Sequence, residues 1–115
     1  MSIEIYHNPR CSKSRQTLQL LHDQGVEPDV VEYLKTPPDK ATLSRILKML
    51  DLEPRQLMRT KEKEYKEQGL DNPDLSRDQL IDAMIATPKL IERPIVIKNG
   101  KAAIGRPPES VLEIL

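Results

Sequence analysis

Apolar and polar positions alternate first in Ile3-Glu4-Ile5-Tyr6, a strand-like run that gives way within a few residues to helical spacing. Ser14, Thr17, Leu18 and Leu21 recur on one face of that helix, Gln16, Gln19 and Asp23 fall on the other, and Gly25 ends it. His22 lies on its solvent side and is given no role. Val30-Val31, ahead of Tyr33, reads as a second strand. Because a helical crossover leads to it, it should run parallel to the first, making a βαβ unit whose ligands favour the carboxyl ends of the strands.

Thr36-Pro37-Pro38-Asp39 breaks the pattern, with Thr36 or Asp39 available to start a helix, and from about Lys40 to Ala86 only helical spacing follows. Leu43, Ile46, Leu47 and Leu50 form one stripe, and Pro54 opens a short turn carrying Leu57 and Met58. The charged run Thr60 to Gln68 stops at Gly69. Its Lys61-Glu62-Lys63-Glu64 reads as a solvated face of alternating charge. Ser76-x-x-Gln79 is a capping box launching Leu80, Ile81, Met84 and Ile85, and Pro88 closes that helix. Ile95-Val96-Ile97, Asn99-Gly100 and Lys101 to Ile104 spell a β-hairpin with a two-residue turn. After Gly105-Arg106-Pro107-Pro108-Glu109, a last helix should use Val111, Leu112 and Leu115 on its inner side. The expected fold is α/β, a βαβ…ββα core over residues 1–38 and 87–115, interrupted by a helical insertion over 39–86.

Composition narrows what such a fold does. At 115 residues and 37% hydrophobic, with no Phe or Trp, the core must be built from Leu, Ile, Val and Met. Tyr6, Tyr33 and Tyr65 leave little on which to stack a base. Eighteen basic residues balance eighteen acidic ones, so there is no overall electrostatic drive toward nucleic acid or an anionic membrane, and any anion site must be local. No apolar run has the length of a membrane span, and the chain opens on a strand rather than a leader; a cytoplasmic monomer is expected. Cys11 is the only cysteine, which excludes an internal disulfide and cysteine-rich metal sites, and His7 and His22 give no metal-ligand spacing.

That cysteine stands in His7-Asn8-Pro9-Arg10-Cys11-Ser12-Lys13-Ser14-Arg15, where the first strand passes into the first helix. Unpaired N–H groups and the positive end of the helix dipole favour a thiolate there, and Arg10, Lys13 and Arg15 add positive charge. The same geometry binds an external anion. Most free cysteines are small buried core residues, but Arg10, Ser12 and Lys13 are poor company for one. Three arginines stand at structural junctions: Arg59 after Leu57-Met58, Arg93 before Pro94, and Arg106 between Gly105 and two prolines. Taken singly, each also fits an ordinary surface arginine.

The strand-HNPxCxxSR-helix opening resembles the glutaredoxin-coupled arsenate reductases, a thioredoxin-like family related to the Spx-type regulators. Tyr33 to Pro38, Leu57-Met58-Arg59, Glu92 to Val96 and Gly105-Arg106-Pro107 resemble further family segments in the same order, so the likeness spans the chain. It implies a single domain with a mixed four-stranded thioredoxin-like sheet, and arginines 59, 93 and 106 lining an oxyanion site. It also implies a cis Arg93–Pro94 bond against the reactive cysteine and a thiolate-stabilising role for His7. Ser14 falls where dithiol relatives carry a resolving cysteine; its hydroxyl could hydrogen-bond the thiolate but cannot resolve a disulfide. Two electrons are needed to turn arsenate into arsenite, and this chain offers one sulfur. A second thiol must therefore come from outside, and the resemblance implies glutathione as co-substrate and glutaredoxin as partner, with no bound cofactor. Arg10 and Ser12-Lys13 stand where detoxifying members carry small residues, which leaves open arsenate, another thiol-reactive anion or a glutathionylated protein as substrate. The phosphatase-like C-x5-R loop is absent, since Thr17 stands six residues after Cys11. The alternative function is an Spx-type redox regulator binding RNA polymerase without turnover, although such regulators generally sense through a C-x-x-C pair that Ser14 breaks.

Overall fold

A computed structural model describes residues 3–115. Two compact units emerge, one from residues up to Thr36 together with Arg93–Leu115, the other from Pro37–Glu92. The return to the first unit thus falls at Arg93 rather than residue 87. Pro88–Leu90 forms a 3-10 turn, and Ile91 bridges Met58 inside the helical unit.

In the first unit the strands are β1 (Ile3–Tyr6), β2 (Asp29–Val31), β3 (Ile95–Lys98) and β4 (Lys101–Ile104), in the order β2-β1-β3-β4. β1 pairs parallel with β2 and antiparallel with β3, and β3 pairs antiparallel with β4, the mixed four-stranded sheet expected. Helix α1 (Ser12–Asp23) supplies the crossover between β1 and β2. It ends ahead of Gly25, whose φ of +77° suits a residue without a Cβ. Asn99 and Gly100, at φ of 52° and 74°, form the hairpin turn with both central residues left-handed. Ile5, Leu21, Val96 and Val111 are wholly buried together between sheet, α1 and the C-terminal segment. Burial of each such side chain is worth roughly 1.5–3 kcal/mol.

That C-terminal segment departs from expectation. Pro108–Ile114 is a 3-10 helix, so the inner positions repeat every three residues: Val111 is buried, Ile114 half-buried, and Leu112 is turned outward at 39% exposure.

The second unit holds α2 (Lys40–Leu50), α3 (Pro54–Leu57), α4 (Lys63–Glu67) and α5 (Arg77–Ala86). Asp39, not Thr36, caps α2 by accepting the Thr42 N–H at 2.7 Å. The capping box of α5 forms in both directions, Ser76 Oγ accepting from Gln79 N at 3.2 Å and Gln79 Oε1 from Ser76 N at 2.8 Å. Leu43, Ile46, Leu47, Leu57, Leu80, Ile81 and Met84 are buried within this unit, as the helical stripes predict.

One glycine decides how the sheet meets α1. Gly105 donates its N–H to the Pro94 carbonyl at 2.9 Å, and a Cβ added to it would stand 2.5 Å from Thr17 Oγ1 and 2.7 Å from Pro94 Cγ. A methyl group therefore forces either β4 away from α1 or the Pro94 ring out of place. Gly105→Ala is expected to destabilise the fold by about 1–3 kcal/mol, read as a lower urea midpoint at unchanged slope. A midpoint equal to that of the wild type would show that the close approach is not required.

Candidate active site

Cys11 is the N-cap of α1, with its carbonyl accepting the Arg15 N–H at 3.0 Å and its own N–H donated to the Asn8 carbonyl at 3.0 Å. The loop before it is an Asx-type turn, in which Asn8 Oδ1 accepts the Arg10 N–H at 3.0 Å. Arg15 Nη1 ties the helix back to the Pro9 carbonyl, also at 3.0 Å. The sulfur thus sits at the first turn of a twelve-residue helix, beside N–H groups that no intrahelical carbonyl can reach.

At 9% exposure Cys11 is buried, as an inert core thiol would be. Its surroundings are not those of a core. Arg106 Nη2 reaches Sγ at 3.9 Å, the long end of what a sulfur acceptor allows, while Arg106 Nε donates to the Arg93 carbonyl at 3.0 Å. The carbonyl grips one edge of the guanidinium and turns the other toward the sulfur. Arg93 is half-buried, its bond to Pro94 is cis as the resemblance implies, and the Arg106–Pro107 bond is cis as well. The structure therefore brings Cys11, Arg106, the Arg93 backbone and Pro94 together. No X-Pro dipeptide announces its isomer, so the second cis bond had no sequence signal.

His7 and Ser14 behave differently from expectation. The ring Nδ1 and the Ser14 hydroxyl share a buried 2.6 Å hydrogen bond, and the same hydroxyl accepts the Asn8 N–H at 3.0 Å. Ser14 thus spends its hydroxyl on the loop and the ring rather than on the sulfur. Burial pushes the His7 ring below its ordinary value; the Glu32 carboxylate works against this and Arg15 adds to it. A neutral His7 braces the loop, and the positive charge beside the thiol comes from Arg106.

Arg59 belongs to the helical unit. Its N–H donates to the Leu90 carbonyl at 2.7 Å, next to the Met58–Ile91 bridge, so its backbone is fixed. Nε lies 3.3 Å from Glu62 Oε1, and Nη1 is buried with no hydrogen-bond acceptor. An unsatisfied buried donor costs roughly 1–3 kcal/mol. The run Lys61 to Glu64 is only in part the solvated face expected. Lys61 and Lys63 are exposed, but the side chains of Glu62 and Glu64 are 26% and 20% exposed. Lys89 Nζ joins them, 3.6 Å from Glu62 Oε2 and 2.7 Å from Glu64 Oε2. Hydrogen bonding to Lys89 holds the Glu64 carboxyl below its usual range, and Glu64 in turn raises Lys89. Sequence reasoning missed Glu62 and Lys89, which lie twenty-seven positions apart (89 minus 62) and share no motif.

No group of His, Cys, Asp and Glu among the described residues could hold a metal, and no helix among them is long and apolar enough to cross a membrane.

Residues 6–114 match the ArsC family. The "Uncharacterized protein YfgD" of Escherichia coli K12 is 61% identical over 98% of this chain and 96% of its own. An arsenate reductase of Haemophilus influenzae is 53% identical across the full length of both chains. Among solved structures, an arsenate reductase from Vibrio cholerae superposes with a TM-score of 0.98 at 57% identity, covering 100% of this chain and 98% of that one.

The lowered His7 value fixes a pH dependence. Below about pH 6.5 the unfolded ring takes up a proton that the folded ring resists, so stability should be full above that value and fall as pH drops toward the folded value. Chemical denaturation between pH 7.5 and 5 is expected to show this loss (the range being roughly where histidine titrates), and His7→Gln to remove it. A His7 ring that titrates at or above 6.5 by NMR would contradict the assignment.

Proposed function

The chain belongs to the ArsC family, and from that premise we propose that it is a thiol-dependent reductase converting arsenate to arsenite, with the Cys11 thiolate as nucleophile. The observation that carries the reading is the placement of the chain's one thiol, that of Cys11, at the N-terminus of α1 within reach of the Arg106 guanidinium. A helix N-terminus and an arginine fork are each suited to a tetrahedral oxyanion, and here both stand beside a nucleophile.

Arsenate is attacked at arsenic by Cys11. An S–As bond forms and one oxygen leaves as water, its protons drawn from solvent. A glutathione thiolate then attacks the Cys11 sulfur, the S–S bond forms, and the electron pair of the S–As bond stays with arsenic, which departs as arsenite. Cys11 is left as a mixed disulfide that glutaredoxin clears by thiol–disulfide exchange. Both electrons come from thiols, one of them external, because Ser14 cannot serve as a resolving group. In this scheme Arg106 offsets the charge of the attacking Cys11 thiolate and of the oxyanion, the kind of preorganised electrostatic stabilisation that dominates many enzymes. Arg93 shares the anion through its side chain. His7 and Ser14 hold the loop and do not touch substrate.

Arsenate, glutathione, glutaredoxin and a coupled NADPH readout test the proposal. Turnover is expected with the wild type, none with Cys11→Ser, and a loss of roughly 10²–10³ with Arg106→Ala. Alkylation of Cys11 by iodoacetamide at neutral pH should slow in Arg106→Ala. An inactive wild type, or turnover that survives loss of the sulfur, would remove the proposal.

A further inference from the structure

We propose that a cleft on the β2 side of the Cys11 loop docks the external thiol, and that Arg10 and Lys35 in its walls select a thiol carrying carboxylates over a neutral one. The inference rests on the external-thiol step of the proposed reaction and assigns the side from which that thiol arrives.

Strand register fixes what flanks the loop. Tyr6, the last residue of β1, pairs with Ile95 of β3 on one side and with Val31 of β2 on the other. The loop of residues 7–11 therefore leaves the sheet between Pro94, which precedes Ile95, and Glu32, which follows Val31. Arg106 and the Arg93 carbonyl that orients it come from the side of β3 and β4, and the oxyanion belongs with them. Displacement at a sulfur needs the arriving sulfur, the attacked sulfur and the leaving atom close to one line, because the incoming electron pair enters behind the bond that breaks. With arsenic on the Arg106 side of Cys11, the second thiol has to arrive from the β2 side.

A cleft of about 370 Å³ opens there, wholly within the first unit and of a size that small-molecule sites occupy. Residues 7–10 form one wall, and Glu32, Leu34 and Lys35 form the other. Cys11 is one hydrogen bond from the first wall, its N–H donating to the Asn8 carbonyl at 3.0 Å. Arg10 and Lys35 are exposed, and Leu34, 42% exposed, offers an apolar surface between the charges. The turn that carries the second wall is closed by the Lys35 N–H donating to the Glu32 carbonyl at 2.9 Å, and Lys35 Nζ lies 3.7 Å from Glu32 Oε1. The cleft thus presents two cations and one carboxylate, all able to turn toward a ligand. Glutathione, with two carboxylates and one ammonium, is their complement; a neutral thiol finds nothing there to pair with.

Disulfide exchange tests this without arsenate. The Cys11 thiolate attacks glutathione disulfide, one S–S bond forms as the other breaks, and a glutathione thiolate leaves; mass spectrometry follows the adduct. Bis(2-hydroxyethyl) disulfide is the uncharged reference, and the ratio of the two rates cancels any change in the nucleophilicity of the cysteine. We expect that ratio to exceed the one for free 2-mercaptoethanol by about tenfold, since each exposed ion pair contributes a few-fold. Arg10→Gln and Lys35→Gln should each lower it about threefold and Lys35→Glu further, and added salt should lower it in the wild type. In turnover, the same variants should raise the KM for glutathione. A wild-type ratio equal to that of 2-mercaptoethanol, or one unmoved by Lys35→Glu, overturns the inference. Because the exchange contains no arsenate, failure of the reductase reading shows in turnover and failure of the cleft in the ratio.

Discussion

A buried 2.6 Å hydrogen bond between the His7 ring and the Ser14 hydroxyl sets the position of the Cys11 loop in the first unit. His7 is the residue after β1, and its N–H still reaches the Val31 carbonyl of β2 at 2.9 Å, so it moves with the sheet. Ser14 is the third residue of α1 and moves with the helix. One hydroxyl therefore ties strand end to helix start, and by accepting the Asn8 N–H it also holds the loop between them. A polar pair removed from water must stay satisfied. The loop has no inexpensive way to lift Cys11 from the helix N-terminus, and the sulfur's place is dictated by backbone rather than by its own side-chain rotamer.

The second fixed point comes from the far end of the chain. Gly105, lying against Thr17 of α1 and the ring of Pro94, lets the residue after it reach a sulfur ninety-five positions earlier in the sequence. The contact of Arg106 with the Arg93 carbonyl orients the guanidinium without cancelling its charge, whereas the contact of Arg59 with Glu62 both orients and partly neutralises. Two arginines are thus aimed by different means. For a chain with equal numbers of acidic and basic residues this matters, since attraction for an anion cannot come from net charge and must come from which cations are paired with what.

Period and punctuation in the sequence foretold most of the architecture because they report local physics. The Asn99-Gly100 turn, the Ser76/Gln79 capping box, the α1 face of Ser14, Thr17 and Leu21 and the parallel placing of β2 all follow from short-range preferences that the tertiary structure did not override. The failures share a cause as well. Pro108–Ile114 coils as a 3-10 helix, so a 3.6-residue pattern put Leu112 inside when a three-residue repeat selects Val111 and Ile114. Within the candidate site, Cys11 and Arg106 were legible as unusual residues at junctions. The bond between the Ser14 hydroxyl and the His7 ring was not legible, since the spacing of Ser14 from Cys11 is visible in the sequence and its distance from the ring is not. Glu62 was hidden for the opposite reason: it sits in a run whose composition says solvent, and its pairing with Lys89 is made only in the fold.

Burial and reactivity are usually opposed for a cysteine, since an apolar environment disfavours the anion. At Cys11 burial comes with polar partners. Exclusion of bulk water around Cys11 is accompanied by a guanidinium and by helix N–H groups, partners that are worth more in a low dielectric than in water. The neutral His7 fits that arrangement: a second permanent cation at the loop would have to be buried unpaired, whereas a neutral ring can hold the loop by hydrogen bonding alone. A single sulfur in such a pocket has positive charge to draw an anion and no thiol neighbour to complete a two-electron reduction. The same geometry that would make the first step favourable makes the second depend on a thiol brought from outside.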